Sequence, residues 1–348
     1  PNYDHLALVG GGAVYNGETG IYPMQAGNEN LAWEHLWTTN IALHLGFWRR
    51  ITLNAEFYNK RTTNMLMEVP QSYTVNGAGA HWDNVGVMLN RGAEVDLSVA
   101  VVQGKDWQVS INGNFGYNKN KIVELYAGID EYEIAGTQTK LQRGCSVGEF
   151  YLVRFAGVNP ANGDALWYKK DGTITNEYSE DDKVLVGKNY MAPWEGGFGA
   201  TVSWKGLTLS TQWSWIAGRY MLNNDRFFEE SNGLFSTYNQ SKRMLYDRWK
   251  QPGDVTDIPR YGITPQMDTR FLEDASFLRM KNIMLSWQLP QAWLAKTRVI
   301  HGVRFYLQGQ NLFTFTPFSG LDPENAFNVY KAQYPATRQF TFGGEVAF

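Results

Sequence analysis

Few side chains in this sequence have the type and spacing for chemistry, and they are scattered. Gly144-Cys145-Ser146-Val147-Gly148 matches the G-x-S-x-G pattern of a nucleophile elbow. That motif needs a strand before it, a helix after it, and an Asp and a His further along. Here the strand-like run EFYLVRF follows, and His301 is the one later histidine. The pattern therefore reads as a loop, and Cys145 as a small loop residue. The histidines His5, His35, His44, His81 and His301 form neither an i, i+4 pair nor H-E-x-x-H, so they predict no zinc site. His44 reads as a polar wall residue. No phosphate-binding or dinucleotide fingerprint leads from a strand into a helix, and Gly10-Gly11-Gly12 reads as flexible loop. Asn239-Gln240-Ser241 is a formal glycosylation sequon, while Asp181-Asp182 and Glu229-Glu230 lack the spacing of a calcium loop. The sequence predicts no catalytic residue, metal or cofactor.

What remains is recognition. Segments 71–84 and 221–250 carry Tyr73, His81, Trp82, Asp83, Asn84, Phe227, Phe228, Tyr238, Tyr246 and Trp249. Aromatic faces beside Asp and Asn suit sugar rings or peptides. Trp82, Asp83, Asn84, Phe227, Phe228 and Tyr238 are the candidate contact residues.

Composition narrows what can hold these loops. With 31 basic and 34 acidic side chains in 348 residues the net charge is −3, and no Lys/Arg stripe marks a nucleic-acid binder. The single cysteine excludes a disulfide scaffold and a thiolate metal centre. Mean hydropathy is −0.38 and no run of 18 apolar residues occurs, so no helix is predicted to cross a membrane. Charged residues are only 19% and aromatics 15%, which argues against disorder. The chain opens on Pro1 without a signal-peptide pattern, which reads as a processed form or a fragment.

Hydrophobicity alternates with period two almost throughout. Nine strands follow: 39–47, 51–58, 93–101, 107–117, 198–204, 207–215, 283–289, 303–309 and 340–348. The apolar face of such strands meets either a second sheet or lipid. Three features favour lipid. The alternating runs are long, near the roughly 9–11 residues of a tilted membrane-crossing strand. Short turns (48–50, 103–106, 205–206) alternate with long segments (about 59–91, 118–197, 216–277 and 314–337), with 290–302 intermediate. Finally, none of the roughly 41 outward positions is charged, where a 19% charge content would place about eight. The other face carries Glu56, Glu94, Asp96, Arg304 and Glu345, as a wet lumen would. Trp48, Trp107, Trp204, Trp287 and Phe348 lie near the short turns, where an interfacial aromatic girdle belongs. Leu43, Leu97, Val99 and Phe342 are accordingly expected to touch hydrocarbon. The prediction is an all-β, antiparallel transmembrane β-barrel portion. Residues 1–32 form an extracellular loop and 33–348 the barrel. The segment Phe150–Tyr168, turning at Asn162-Gly163, is either a hairpin within a loop or two further wall strands.

Several separated blocks add a family resemblance. They include GNENLAWEHLWTTNIAL, YNKRTTNML, NRGAEVDLSV, GYNKNKIVEL, GEFYLVRFAGVNPANGDALWY, EDASFLRMKNIMLSWQLP, QNLFTFTPFSGLDPE and PATRQFTFGGEVAF. In this order and spacing the chain resembles the C-terminal barrel region of SusC/RagA-type TonB-dependent outer-membrane transporters. Ser146 departs from the proline often found there. The resemblance implies part of a large, 22-stranded barrel whose plug domain, TonB-contacting segment and earlier strands have no counterpart in this chain. It implies TonB-dependent import of an oligosaccharide or peptide through the bacterial outer membrane, with a SusD-like surface lipoprotein as lid. Partners would be that lipoprotein, TonB, the rest of the barrel and plug, and membrane lipid. The candidate loop residues then fit ligand contact, lid contact and plain loop packing alike. Phe340, Phe342, Val346 and Phe348, on the last strand, resemble a barrel-assembly signal. Two rivals remain: a siderophore or cobalamin receptor without a lid, and a secreted all-β carbohydrate-binding or hydrolase domain.

Overall fold

The computed structural model describes residues 3–70, 72–126, 129–134, 136–235, 237–297 and 299–348. Pro1 and Asn2 of the expected 1–32 loop, and Gln71 and Ser236 of the recognition segments, lie outside the described residues. Nine long strands build one antiparallel wall: β1 (His35–Phe47), β2 (Ile51–Thr63), β3 (Val87–Gln103), β4 (Trp107–Glu124), β5 (Trp194–Trp204), β6 (Leu207–Ala217), β7 (Phe277–Gln288), β8 (Gly302–Gln310) and β9 (Gln339–Ala347). Each pairs with its neighbour in sequence, so the wall is an up-and-down meander whose edges are β1 and β9. All nine alternating runs are wall strands.

Short turns close one end. Lys205-Gly206 joins β5 to β6 with both residues at positive φ (47° and 89°), the two-residue turn whose twist matches a hairpin. A side chain at Gly206 would also press on the carbonyl of Gln288, which lies alongside. A belt of rings runs just above these turns. Trp107 stacks on Trp204 at 5.7 Å, Trp204 is registered with Leu207, Leu207 with Trp287, and Trp287 with Phe305. A second belt lies ten residues up β4 (117 − 107 = 10): Tyr117 packs on Trp194 at 4.1 Å, and Phe115 reaches Trp215 at 6.0 Å across Gly196. Gly196 has to be glycine here, because a Cβ would meet the Trp215 ring. Ten steps span about 34 Å along a strand, or about 24 Å of height at a tilt near 45°, matching the apolar band of an outer-membrane barrel.

Between the belts the outward side chains are uncovered. Leu43 is 52% exposed, Leu97 39% and Phe342 76%, and Val99 is half-buried. The buried hydrophobics lie mainly in the long connections. Phe150, Leu152, Leu222 and Phe271 form one small core, Met221, Ala275, Phe318 and Tyr330 a second, and Val153, Ala165 and Trp167 a third. The wall is a single layer, and the loops carry their own cores.

The structure resolves Phe150–Tyr168 as loop. Arg154–Val158 pairs with Ala165–Tyr168 and then Ile174–Thr175 in a separate three-stranded sheet, while Glu149–Leu152 pairs with Val184–Asn189. The described part of the expected loop, residues 3–32, is more ordered than a plain loop: Leu8–Tyr15 and Glu18–Gln25 make a hairpin around Asn16-Gly17, both at positive φ. The wall strands also outrun their alternating stretches. β3 and β4 have 17 and 18 residues. β7 extends back to Phe277 through a bulge: Gln212 pairs with Asn282 but Trp213 with Met280, leaving Lys281 unpaired. Without the bulge, the phase set by Trp287, Leu285 and Ile283 would aim Lys281 at lipid. With it, Lys281 turns inward and bonds Glu324 at 2.5 Å.

These facings are testable. Leu97→Arg is expected to destabilise the barrel by about 2–4 kcal/mol, and Ser98→Arg by less than about 1 kcal/mol. Denaturant titration of the protein in lipid vesicles measures both, and equal losses would contradict these facings.

Candidate functional site

Two surfaces line the path a solute would take: the inward face of the wall and the loop layer above it. The inward face is polar. One row crosses the sheet as Asn54, Asp96, Asn114, Gly197 and Ser214, and the next as Glu56, Glu94, Gly116 and Glu195. Neighbours satisfy one another: Asn40 Nδ2 donates to Glu56 at 2.6 Å, His44 Nδ1 meets Asn54 Oδ1 at 2.9 Å, and Tyr58 Oη donates to Asn118 at 3.1 Å. Glu94, Asp96, Asn114, Glu195, Lys281 and Glu324 line a concave space of about 710 Å³. The lumen is thus wet and weighted toward carboxylates.

Ion pairs fasten the loops over its mouth. Arg279 on β7 donates to Asp322 at 2.5 Å, to Glu324 at 2.6 Å and to Thr314 at 2.9 Å, holding the 311–338 connection against the inner wall. Burial alone would raise the Asp322 carboxyl. The Arg279 guanidinium and the amides of Ala336 and Glu324 outweigh it and hold Asp322 below the usual carboxylate range. A second network sits in the 218–276 connection. Arg226 binds Glu230 at 2.9 Å, Asp257 at 2.8 Å and Glu273 at 3.3 Å, and Arg243 grips Asp257 at 2.6 Å and also pairs with Glu230. Glu230 is 1% exposed, so these arginines are what makes its charge tolerable. Asp257 would likewise rise by burial, but Arg243 and Arg226 pull it below its ordinary value.

The sequence-predicted contact residues occupy two different loops. Trp82, Asp83 and Asn84 end the Leu66–Pro70/Ala80–Asn84 hairpin. Asn84 is committed to structure: its amide donates to the carbonyls of Ala32 and Asn64 and accepts from the Ala32 amide. Asp83 accepts from Asn28 at 3.1 Å, and the Trp82 carbonyl accepts from Asn28 at 2.9 Å. Phe227, Phe228 and Tyr238 join Phe235 in an aromatic cluster with centroids 4.8–6.2 Å apart, and Phe227 also packs on Phe271 at 5.5 Å. Of this cluster Tyr238 is the exposed member, at 57%. Trp249 is tied by its indole to Pro160 at 3.2 Å. Phe340, Phe342 and Val346 lie outward and exposed along the edge strand β9, and Phe348, just past its end, is exposed as well. Ser146 sits in a turn leading into strand Glu149–Leu152 rather than a helix, and burial pushes the Cys145 thiol up, away from a reactive thiolate.

Sequence reasoning missed a hollow of about 670 Å³ in the loop layer, lined by Arg154, Lys170, Lys188, Phe155, Tyr168 and Tyr220 among others. Arg154 stacks over Tyr168 and leaves its Nε buried without a partner, while Lys188 lies over Tyr220 and bonds its hydroxyl at 2.9 Å. Three cations with three rings suit a carboxylate beside an apolar group. No sequence signal pointed there, because its residues come from five separate segments. Among the described residues, no group of three or more His, Cys, Asp or Glu is placed to hold a metal ion.

A family model described as TonB dependent receptor-like, beta-barrel matches residues 1–312. The chain belongs to that family. It is an outer-membrane barrel protein, and the uncovered face of its wall meets lipid. The structure of the RagAB peptide transporter aligns with all of this chain at a TM-score of 0.92 and 37% identity. The TonB-dependent receptor SusC of Bacteroides thetaiotaomicron is 26% identical over 96% of the chain, and a TonB-dependent receptor of Formosa agariphila 27% over 94%. The chain spans 39% of the matched RagAB chain, 35% of SusC and 36% of the Formosa receptor.

The lowered carboxyls give the loop layer an acid limit. A depressed folded-state pKa contributes stability that is present above the unfolded value of about 3.8 and is lost as pH falls through the folded value. Measured against the intrinsic rate at each pH, hydrogen exchange of 218–276 and 311–338 is therefore expected to stay protected at pH 5 and to lose protection below about pH 4, ahead of the wall strands. Simultaneous exchange of wall and loops would contradict it.

Proposed function

We propose that this chain supplies wall, lumen lining and outer loops to an importer that takes peptides or oligosaccharides through the outer membrane, peptides being the first candidate. The match to a peptide transporter over the whole chain, at 37% identity, carries this reading. The hollow around Arg154 and Lys188 supports it, because a peptide brings a terminal carboxylate and apolar side chains together. In this reading the rest of the barrel and a plug close the lumen, and TonB pulls the plug through that upstream part. A SusD-like lipoprotein covers the loops. The hairpin Leu8–Gln25 belongs to the extracellular layer, since Ala26 bridges to His81 and Asn28 to Trp82. Trp82 and Tyr238 are ligand or lid contacts, while Phe227 and Phe228 support Tyr238 from within the cluster. Phe340, Phe342, Val346 and Phe348 present the edge read during barrel assembly. The chain performs no covalent chemistry. A lidless siderophore or cobalamin receptor fits less well than a peptide importer like the one matched. A secreted domain does not fit, because its apolar sheet face would be covered.

Uptake of labelled oligopeptides and oligosaccharides by cells carrying the complete receptor tests the reading. Peptide uptake should require both the receptor and TonB. Arg154→Ala with Lys188→Ala should weaken binding of peptides with a free C-terminal carboxylate by about tenfold or more and leave amidated peptides less affected. Uptake that persists without TonB, or a preference for neutral glycans alone, would overturn the peptide reading.

A further inference from the structure

The uncharged outward face ends abruptly. Its last belt on the long-loop side contains Phe57, Ala93, Tyr117 and Trp194, registered in that order across β2, β3, β4 and β5. The next outward row is Asn59, Arg91 and Lys119, and the one beyond it Arg61, Leu89 and Lys121. Four cations therefore occupy a grid three strands wide and two rows high. Lys119 and Lys121 are exposed, whereas Asn120 and Ile122, which alternate with them, are buried, which fixes the lysines on the outer face. Arg61 and Arg91 are exposed as well.

Their arrangement is unfavourable for the chain alone. Arg91 and Lys119 are directly opposed on neighbouring strands, a pairing that like charges destabilise. Arg91 donates to the neutral Asn59 at 2.8 Å. Among the described residues, no carboxylate lies within ion-pair distance of any of the four. Glu124, the next acidic group up β4, is registered with Val87, beyond both basic rows. No described residue supplies the counter-charge, and the four cations sit at a fixed height. Two residues beyond Tyr117 is about 7 Å along the strand, or roughly 5 Å above the aromatic belt, the level of the lipid headgroups.

We propose that Arg61, Arg91, Lys119 and Lys121 form a docking site for the phosphate groups of a lipid in the outer leaflet. Arginine forks and lysine ammonium groups hold the phosphate oxygens, Trp37, registered with Arg61 and 70% exposed, flanks the headgroup, and the acyl chains run down over Phe57 and Ile41. The site rests on the wall's position in the membrane and not on what the barrel imports, so the two readings fail separately.

The test uses the complete receptor in a neutral detergent, titrated with lipid A carrying two phosphates and with the same lipid dephosphorylated, and read by native mass spectrometry. The variant Arg61→Gln/Arg91→Gln/Lys119→Gln/Lys121→Gln should bind the phosphorylated lipid roughly a hundredfold more weakly and the dephosphorylated lipid unchanged. Equal binding by variant and parent, or equal loss for both lipids, would overturn the proposal. Should the fourfold variant not fold, Arg91→Gln/Lys119→Gln serves. It should melt no lower than the parent without lipid, because a repulsion is relieved, and it should gain less on adding the phosphorylated lipid. A gain equal to the parent's would also overturn the site.

Discussion

Contact with hydrocarbon on one side of a single sheet is the condition from which the rest of this structure follows. Lipid offers no hydrogen bonds, so every backbone amide and carbonyl between the aromatic belts has to find a partner in the next strand. The unbroken registers of β5 with β4 and of β5 with β6 meet that demand. Lipid also refuses charge, and this decides the treatment of Lys281: a strand holding strict alternation would aim the ammonium outward, and the bulge changes the phase at that residue. The same bulge brings Lys281 beside Arg279, where both share Glu324. A lipid-side prohibition thus produces a lumen-side ion cluster.

The wall was legible because lipid imposes a period of two, which survives in the sequence with little noise. What lay outside that period was not. β7 was read only from Ile283, since Lys281 breaks the pattern that the bulge restores. β3 and β4 were read short because their upper ends carry Arg91, Lys119 and Lys121 on the outward face. The hairpin Leu8–Gln25 reads as loop in the sequence: its three consecutive glycines hide the alternation, although Asn16-Gly17 is a turn signal in plain view.

The loop layer was legible in composition and not in geometry. Aromatic residues with Asp and Asn single out two loop segments, yet side-chain identity does not say which rings face solvent. Phe227 turns toward Phe271 and the buried core, and Asn84 spends its amide on backbone groups of two other segments. The residues that fix the layer, Arg226, Arg243, Asp257 and Arg279, meet partners up to 47 positions away, and no local pattern announces such pairs. The hollow at Arg154 escaped notice for the same reason.

A wall without its own core raises the question of what keeps the loops in shape, because the sheet ends where they begin. The small hydrophobic cores answer part of it. The ion networks answer the rest by orienting segments that the cores merely hold together. Arg226 is the clearest case: one guanidinium meets Glu230 four residues on, Asp257 from the following loop and Glu273 just ahead of wall strand β7. Such a network adds little net stability against well-packed apolar side chains, but it fails sharply when one member is misplaced, so it specifies one arrangement among many. A recognition surface assembled from separate loops needs that property, since order present before the ligand arrives does not have to be created at the ligand's expense.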